Sequence, residues 1–186
     1  GFLVYANTLS SSFHFDDHLY ITGNGWIRDL SNFLNPLPTR WFGMLTFAVN
    51  YRLHGLAVEG YHTANIAIHI LSALLVYGLA LLTFRTPLFT GRMTGPAARL
   101  TALAAALVFV VHPVQTQAVT YISQRFTSLA TLLYLLALVG YVRSRQSTER
   151  RIRIGWMAGS LAATVLAMKT KEIAFTLPFA IALYEV

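Results

Sequence analysis

Six apolar stretches of membrane-relevant length follow one another along the 186-residue chain, with arginines clustered between them. A bilayer is the solvent that such a pattern fits, and a water-soluble globule is effectively ruled out. Only 11% of the residues are charged, against about 25% in soluble domains. The 55% hydrophobic content excludes an intrinsically disordered chain. The net charge of +7 raises the question of nucleic acid. The arginines sit in the short loops between apolar segments, however, so they read as topology signals and no nucleic-acid partner is expected. With no cysteine, disulfides, thiolate zinc sites and a cysteine nucleophile are absent. No cleavable signal peptide is visible. The chain opens inside one apolar stretch and stops inside another, which predicts a fragment of a longer protein.

Hydropathy and length place the spans at about 1–9, 61–84, 97–111, 118–142, 154–168 and 173–186. A long polar-aromatic loop, 10–60, separates the first two. Its segments 26–35 and 40–53 read as short helices lying along the membrane surface, the second being too polar to span comfortably. If the spans alternate, the loops 85–99 and 143–153 share one side, with eight arginines against Glu149 and Glu185. That side is expected to be cytoplasmic. The loop 10–60 then faces the periplasm or a lumen, as in a bacterial inner membrane or the endoplasmic reticulum. Spans three and five hold about 15 apolar residues each and reach roughly 22 Å, short of a core about 30 Å thick. Their outer ends are therefore expected to be recessed, which would bring His112, Lys169, Lys171 and Glu172 into an outward-opening cavity.

Four polar constellations fall on that outer side. The first is His14-Phe15-Asp16-Asp17-His18. Adjacent carboxylates at a membrane boundary suit general-base chemistry; a solvated, helix-capping loop is the plainer alternative. The His-Asp-His run also holds metal-ligand types, but no ligand-spaced partner motif accompanies it, and no metal ligand is assigned. The second is His112-Pro113 with Gln115, Thr116, Gln117 and, about two turns into the next helix, Arg125. An arginine there must snorkel, pair with a carboxylate or bind an anion. The third, Lys169-Thr170-Lys171-Glu172, could clamp a phosphate or pair internally. The fourth is His62, Asn65 and His69, on one face of span two. Hydrogen bonds between helices are the commonest role of such a stripe. Acidic and basic groups thus gather at a membrane-embedded site, with no P-loop or GxGxxG for a soluble nucleotide. A lipid-borne phosphate donor fits such a site better.

The runs FDDHLYITGN, RWFGMLTFAVNYRLHG, GYHTANIAIH, HPVQTQAVTYISQR and MKTKEIAFTLP occur in this order. Together they resemble the tetratricopeptide-repeat transmembrane O-mannosyltransferases and their bacterial relatives, which belong with the GT-C glycosyltransferases. The resemblance implies an all-α polytopic bundle, the N-terminal part of a GT-C module, with further spans and the repeats beyond 186. It implies an inverting transfer from a polyprenyl- or dolichyl-phosphate sugar, mannose being one candidate, with Asp16 and Asp17 as the acidic centre. The acceptor would be a hydroxyl, on a protein. The HPxxTxAV pattern falls on His112, Pro113, Thr116, Ala118 and Val119, and the KE pattern on Lys171 and Glu172. Gln117 stands where relatives often carry Glu, and Trp41 replaces the proline of an Arg-Pro pair after Arg40.

The expected roles are Asp16 or Asp17 as base, and Arg125 and Lys171 as stabilisers of the leaving phosphate. Glu172 would orient Lys171, and His112 would hydrogen-bond within the site. Arg40, His62, Asn65 and His69 complete the substrate-binding set. No cofactor is expected beyond the lipid-linked donor, and a divalent metal stays open. Membrane lipids are partners in any case. The rival readings are a non-catalytic membrane subunit that keeps the scaffold and binds a partner protein, and a transporter. The transporter reading predicts inverted repeats, which the sequence lacks.

Overall fold

The computed structural model describes residues 1–89 and 91–185; Thr90, in the second loop, and Val186, the last residue of the sixth stretch, lie outside them. Among the described residues the fold is all-α, with no strand. The helices are α1 (Phe2–Tyr5), α2 (Trp41–His54), α3 (Val58–Thr83), α4 (Gly95–Val111), α5 (Thr116–Thr120), α6 (Arg125–Gln146), α7 (Arg150–Met168) and α8 (Leu177–Glu185). Short 3-10 turns cover Gly25–Arg28 and Leu30–Phe33 in the long loop. The two segments expected to be helical there are so, the first as 3-10 turns and the second as α2.

Two described stretches, Val58–Thr83 and Ile122–Gln146, are long and apolar enough to cross a membrane. The pair Gly95–Val111 and Pro113–Thr120, bent by 48°, makes a third if it counts as one span. At 1.5 Å per residue, the 26 residues of α3 reach about 39 Å, more than the hydrocarbon core requires. The bend comes from sequence. His112 precedes a proline and is extended, with ψ 127°, because the proline ring disfavours the helical region for its predecessor. A second break follows at Tyr121, ψ 114°, so the fourth stretch is not continuous from 118. As a result Arg125 is the first residue of α6 and not a position two turns inside it.

The helices alternate in direction. At one end Arg125 Nη2 donates to the Tyr61 carbonyl of α3 (2.9 Å). At the other, Gln146 Nε2 donates to the Leu82 carbonyl (2.9 Å), so α3 and α6 run parallel. Packing between helices relies on small residues, which let backbones approach in an environment where lipid offers no hydrophobic drive. Ala98, Ala102 and Ala106 form the buried stripe of α4, four residues apart and so on one face. Between α6 and α7, Ser160 Oγ donates to the Ala137 carbonyl (2.8 Å). Leu100, Leu103, Leu107 and Val111 of α4 are exposed, as suits a lipid-facing side. The arginine-bearing loops 85–99 and 143–153 lie at one end of this bundle. The long loop, the 112–124 bend and the 169–176 turn lie at the other.

Candidate functional site

Contacts from five residues radiate from one heptapeptide, Tyr121–Thr127, which leads from the second break into the first turn of α6. Tyr121 Oη accepts from the Asp16 N–H (2.9 Å). Ser123 donates to Asp17 Oδ1 from its backbone N–H (2.7 Å) and from its hydroxyl. Arg125 reaches α3, as above. The Phe126 ring lies under the Arg40 guanidinium, 5.5 Å from its centroid, and meets the Tyr20 ring edge-on at 5.0 Å. Thr127 Oγ1 accepts from Lys171 Nζ (2.6 Å). The long loop, the start of α2 and the Lys171-Glu172 turn are thereby gathered at one place.

The acidic pair divides. Asp17 is 1% exposed. Besides the Ser123 bonds, its Oδ2 accepts from the His14 N–H (3.0 Å), and its own N–H donates to the His14 carbonyl (2.9 Å). Both ends of this tight turn are thus closed on themselves. Phe15, between them, has φ 44°, uncommon for a bulky residue and held by the closed turn. Asp16 is exposed. Its carboxylate accepts no hydrogen bond and makes no ion pair among the described residues. Burial raises the pKa of the Tyr121 phenol, and the charges of Asp16 and Asp17 add to the shift, so the group stays protonated at neutral pH.

Arg40 caps α2 from a left-handed conformation, φ 57°. Its Nη1 donates to Tyr20 Oη (3.0 Å), and its Nε lies 3.5 Å from Glu172 Oε1. The Glu172 carboxyl is held below the usual carboxylate range, chiefly by its own backbone N–H and then by Arg40 and Lys171, against the opposing effect of burial. An open cavity of about 750 Å³ lies here, lined by Tyr20, Asn24, Trp26, Thr39, Arg40 and Glu172 among others. Lys169 Nζ donates to the Leu37 carbonyl (3.2 Å), closing the edge between the long loop and the 169–172 turn.

The remaining predicted residues face inward or away. Arg125 is 1% exposed. Its Nε donates to Asn65 Oδ1 (2.8 Å), its Nη1 to the Thr46 carbonyl (3.4 Å), and the cation lies 4.5 Å from the Phe47 ring centroid. Each of its three nitrogens donates to the protein, so it ties α2, α3 and α6 together. The His62, Asn65 and His69 stripe makes contacts between segments. His62 Nε2 donates to Ser11 O (3.0 Å), His69 Nε2 to Val110 O (3.2 Å), and Asn65 Nδ2 to the carbonyls of Val119 and Ile122 (3.4 and 3.3 Å). His112 is exposed and caps its own turn, its Nδ1 accepting from the Val114 N–H (3.2 Å); among the described residues no hydrogen bond joins its side chain to the heptapeptide. Among the described residues no trio of His, Asp and Glu is placed to hold a metal. Sequence reasoning missed Tyr20, Tyr121, Ser123 and Thr127. The signal available for three of them was their place in the YISQRFT run, which follows the HPVQTQAVT segment and leads into the apolar stretch of α6.

No protein-family model and no solved structure matches the chain. Curated proteins do. The chain is 30% identical, over 95% of its length, to the protein O-mannosyl-transferase Tmtc1 of Drosophila melanogaster, covering 20% of that protein. It is 29% identical, over all of its length, to Tmtc2 of the same organism, covering 21% of it. Against the human TMTC2 it is 30% identical over all of its length, covering 23%. The chain thus spans about a fifth of the length of the curated relatives that it matches. These alignments show what the chain is similar to: over nearly its whole length it resembles one stretch of the TMTC-type protein O-mannosyl-transferases.

Proposed function

We propose that the chain carries the acidic centre of a membrane glycosyltransferase. On this reading the enzyme moves a sugar from a polyprenyl- or dolichyl-phosphate donor to a hydroxyl on a protein. The observation that carries the reading is the hub at Tyr121–Thr127, where the backbone of Asp16, whose carboxylate is free among the described residues, and the side chains of Arg40 and Lys171 meet one short segment. Asp16 takes the proton of the attacking hydroxyl, for which its free, solvent-facing carboxylate is suited. Lys171 and Arg40 offset the negative charge that grows on the leaving phosphate in the transition state. Glu172 holds Arg40 in place. Arg125, consumed by internal acceptors, keeps the scaffold aligned. The curated relatives are named as O-mannosyl-transferases, which makes mannose the first sugar to try.

In the proposal this end faces the periplasm or a lumen, a reading that the charge asymmetry of the loops supports. No soluble nucleotide sugar is needed there, because a lipid carries its own donor across the bilayer. Transfer of a labelled sugar from a polyprenyl-phosphate donor to a protein acceptor, with the full-length protein, is the test. Transfer that disappears in Asp16→Asn supports the reading. A wild-type protein that transfers nothing from any such donor overturns it in favour of a scaffold that binds a partner protein.

A further inference from the structure

We propose that Tyr121 and Ser123 are positioning residues that assign the two adjacent aspartates opposite tasks. Asp17 is the anchor of the turn, and Asp16 alone is presented to the substrate. This rests on the reading of the acidic pair as the transfer centre.

Two neighbouring carboxylates on a flexible loop would be interchangeable, and each would repel the charge of the other. Here they are not interchangeable. Ser123 offers two donors to one oxygen of Asp17, while the His14 N–H takes the other. A buried carboxylate so supplied exchanges its hydration for fixed donors and has no reason to turn outward. The Asp16 backbone N–H points at Tyr121 Oη, and with the left-handed φ of 44° at Phe15 this fixes where the Asp16 side chain leaves the chain. Ser123 directly precedes the Gln124–Arg125 entry into α6, and Arg125 is fastened to α3. The two aspartates are therefore referenced to the rigid part of the bundle although they sit on a loop. A base must lie within hydrogen-bond reach of the proton that it removes, and reference to a rigid element supplies that placement.

The test uses the full-length protein in detergent micelles and has two readouts. The first is modification of carboxyls by a water-soluble carbodiimide with an amine, read residue by residue by mass spectrometry, with exposed Glu59 as reference. In the wild type, Asp16 is expected to react as Glu59 does and Asp17 to be protected. Ser123→Ala should remove the protection of Asp17, and Ser123→Thr, which keeps the hydroxyl, should restore it. The second is sugar transfer. Tyr121→Phe and Ser123→Ala should lower kcat by about ten- to a hundredfold, as small misplacements of a reacting group do. The KM for the polyprenyl-phosphate donor should change little, and Ser123→Thr should recover the rate.

Asp17 reacting as fast as Asp16 in the wild type would overturn the proposal. So would wild-type kcat in both variants, or an Asp17 still protected in Ser123→Ala. Absence of transfer by the wild type would count against the glycosyltransferase reading instead, and the carboxyl modification would still decide the positioning.

Discussion

Arg125 Nε donates to Asn65 Oδ1 at 2.8 Å, and neither side chain is more than 1% exposed. This one bond explains why both residues belong to the polar features of an otherwise apolar pair of helices. A guanidinium can donate in three directions at once, here to Asn65, to the Tyr61 carbonyl of α3 and to the Thr46 carbonyl of α2. An ammonium on a flexible stem cannot reproduce that planar fork. Arg125→Ala should therefore destabilise the protein by roughly 1–3 kcal/mol for each buried acceptor that it leaves unpaired. Arg125→Lys should recover only part of the loss. Thermal unfolding in detergent measures both. A melting temperature unchanged in Arg125→Ala would show that the guanidinium is not the tie described here.

Close approach of α6 and α7 depends on Gly140. A Cβ at that position would lie 3.2 Å from Ser160 Cβ and 3.3 Å from Ser160 Cα. Part of that obstacle is backbone, which cannot rotate away. Gly140→Val should push the helices apart and stretch the bond from Ser160 Oγ to the Ala137 carbonyl. The expected cost is about 1–3 kcal/mol, as for overpacking elsewhere. Thermal unfolding again gives the answer, and Gly155→Ala, with open space around it, is the control that should change little.

The helices α3, α4 and α7 were legible in the sequence because their lengths and apolar runs leave few alternatives, whereas the first stretch holds only a four-residue α-helix and the fourth is broken at Tyr121. The helix at 40–53 was legible too, as a segment that mixes aromatics with Arg40, Asn50 and Arg52. The division of labour between Asp16 and Asp17 was not. It depends on a serine more than a hundred residues away, and a lone Ser in an apolar run carries no sign of what it faces. Arg125 was singled out for the right reason, a cation among apolar neighbours. Its partners, however, are mostly backbone carbonyls, which no side-chain pattern announces. The polar stripe of α3 hydrogen-bonds carbonyls of the segments packed against it, which its spacing alone does not name.

The Arg40–Glu172 contact should loosen in acid. The Glu172 carboxyl is held low, first by its own backbone N–H and then by Arg40 and Lys171. A depressed carboxylate contributes its stabilisation above the unfolded value, about 4.3, and loses it as pH falls through the lower folded value. The pair is solvent-facing, so the effect is local and not a global unfolding. A fluorophore on a cysteine at Thr39, beside the pair, should report a transition below about pH 4.3. In Glu172→Gln that transition should vanish. If the Gln variant titrates as the wild type does, Glu172 is not the group responsible.

The final prediction separates the two aspartates. Both Asp16→Asn and Asp17→Asn should lose sugar transfer, but by different routes. Asp16 makes no side-chain bond among the described residues, so its amide variant should fold and melt as the wild type does. Its transfer should fall by about 10²- to 10⁴-fold, the range for loss of a general base. An amide has the same shape but cannot take a proton from the attacking hydroxyl. Asp17 is surrounded by donors, from Ser123 on one oxygen and His14 on the other. An amide there must point its NH₂ at one of these donors, leaving a buried clash of like groups that costs roughly 1–3 kcal/mol. Asp17→Asn should therefore lower the melting temperature as well as the rate. Parallel melting curves and transfer assays on the two variants distinguish the roles. Equal stability with equal loss of transfer would mean that both carboxylates face the substrate, and normal transfer in Asp16→Asn would mean that the base lies elsewhere.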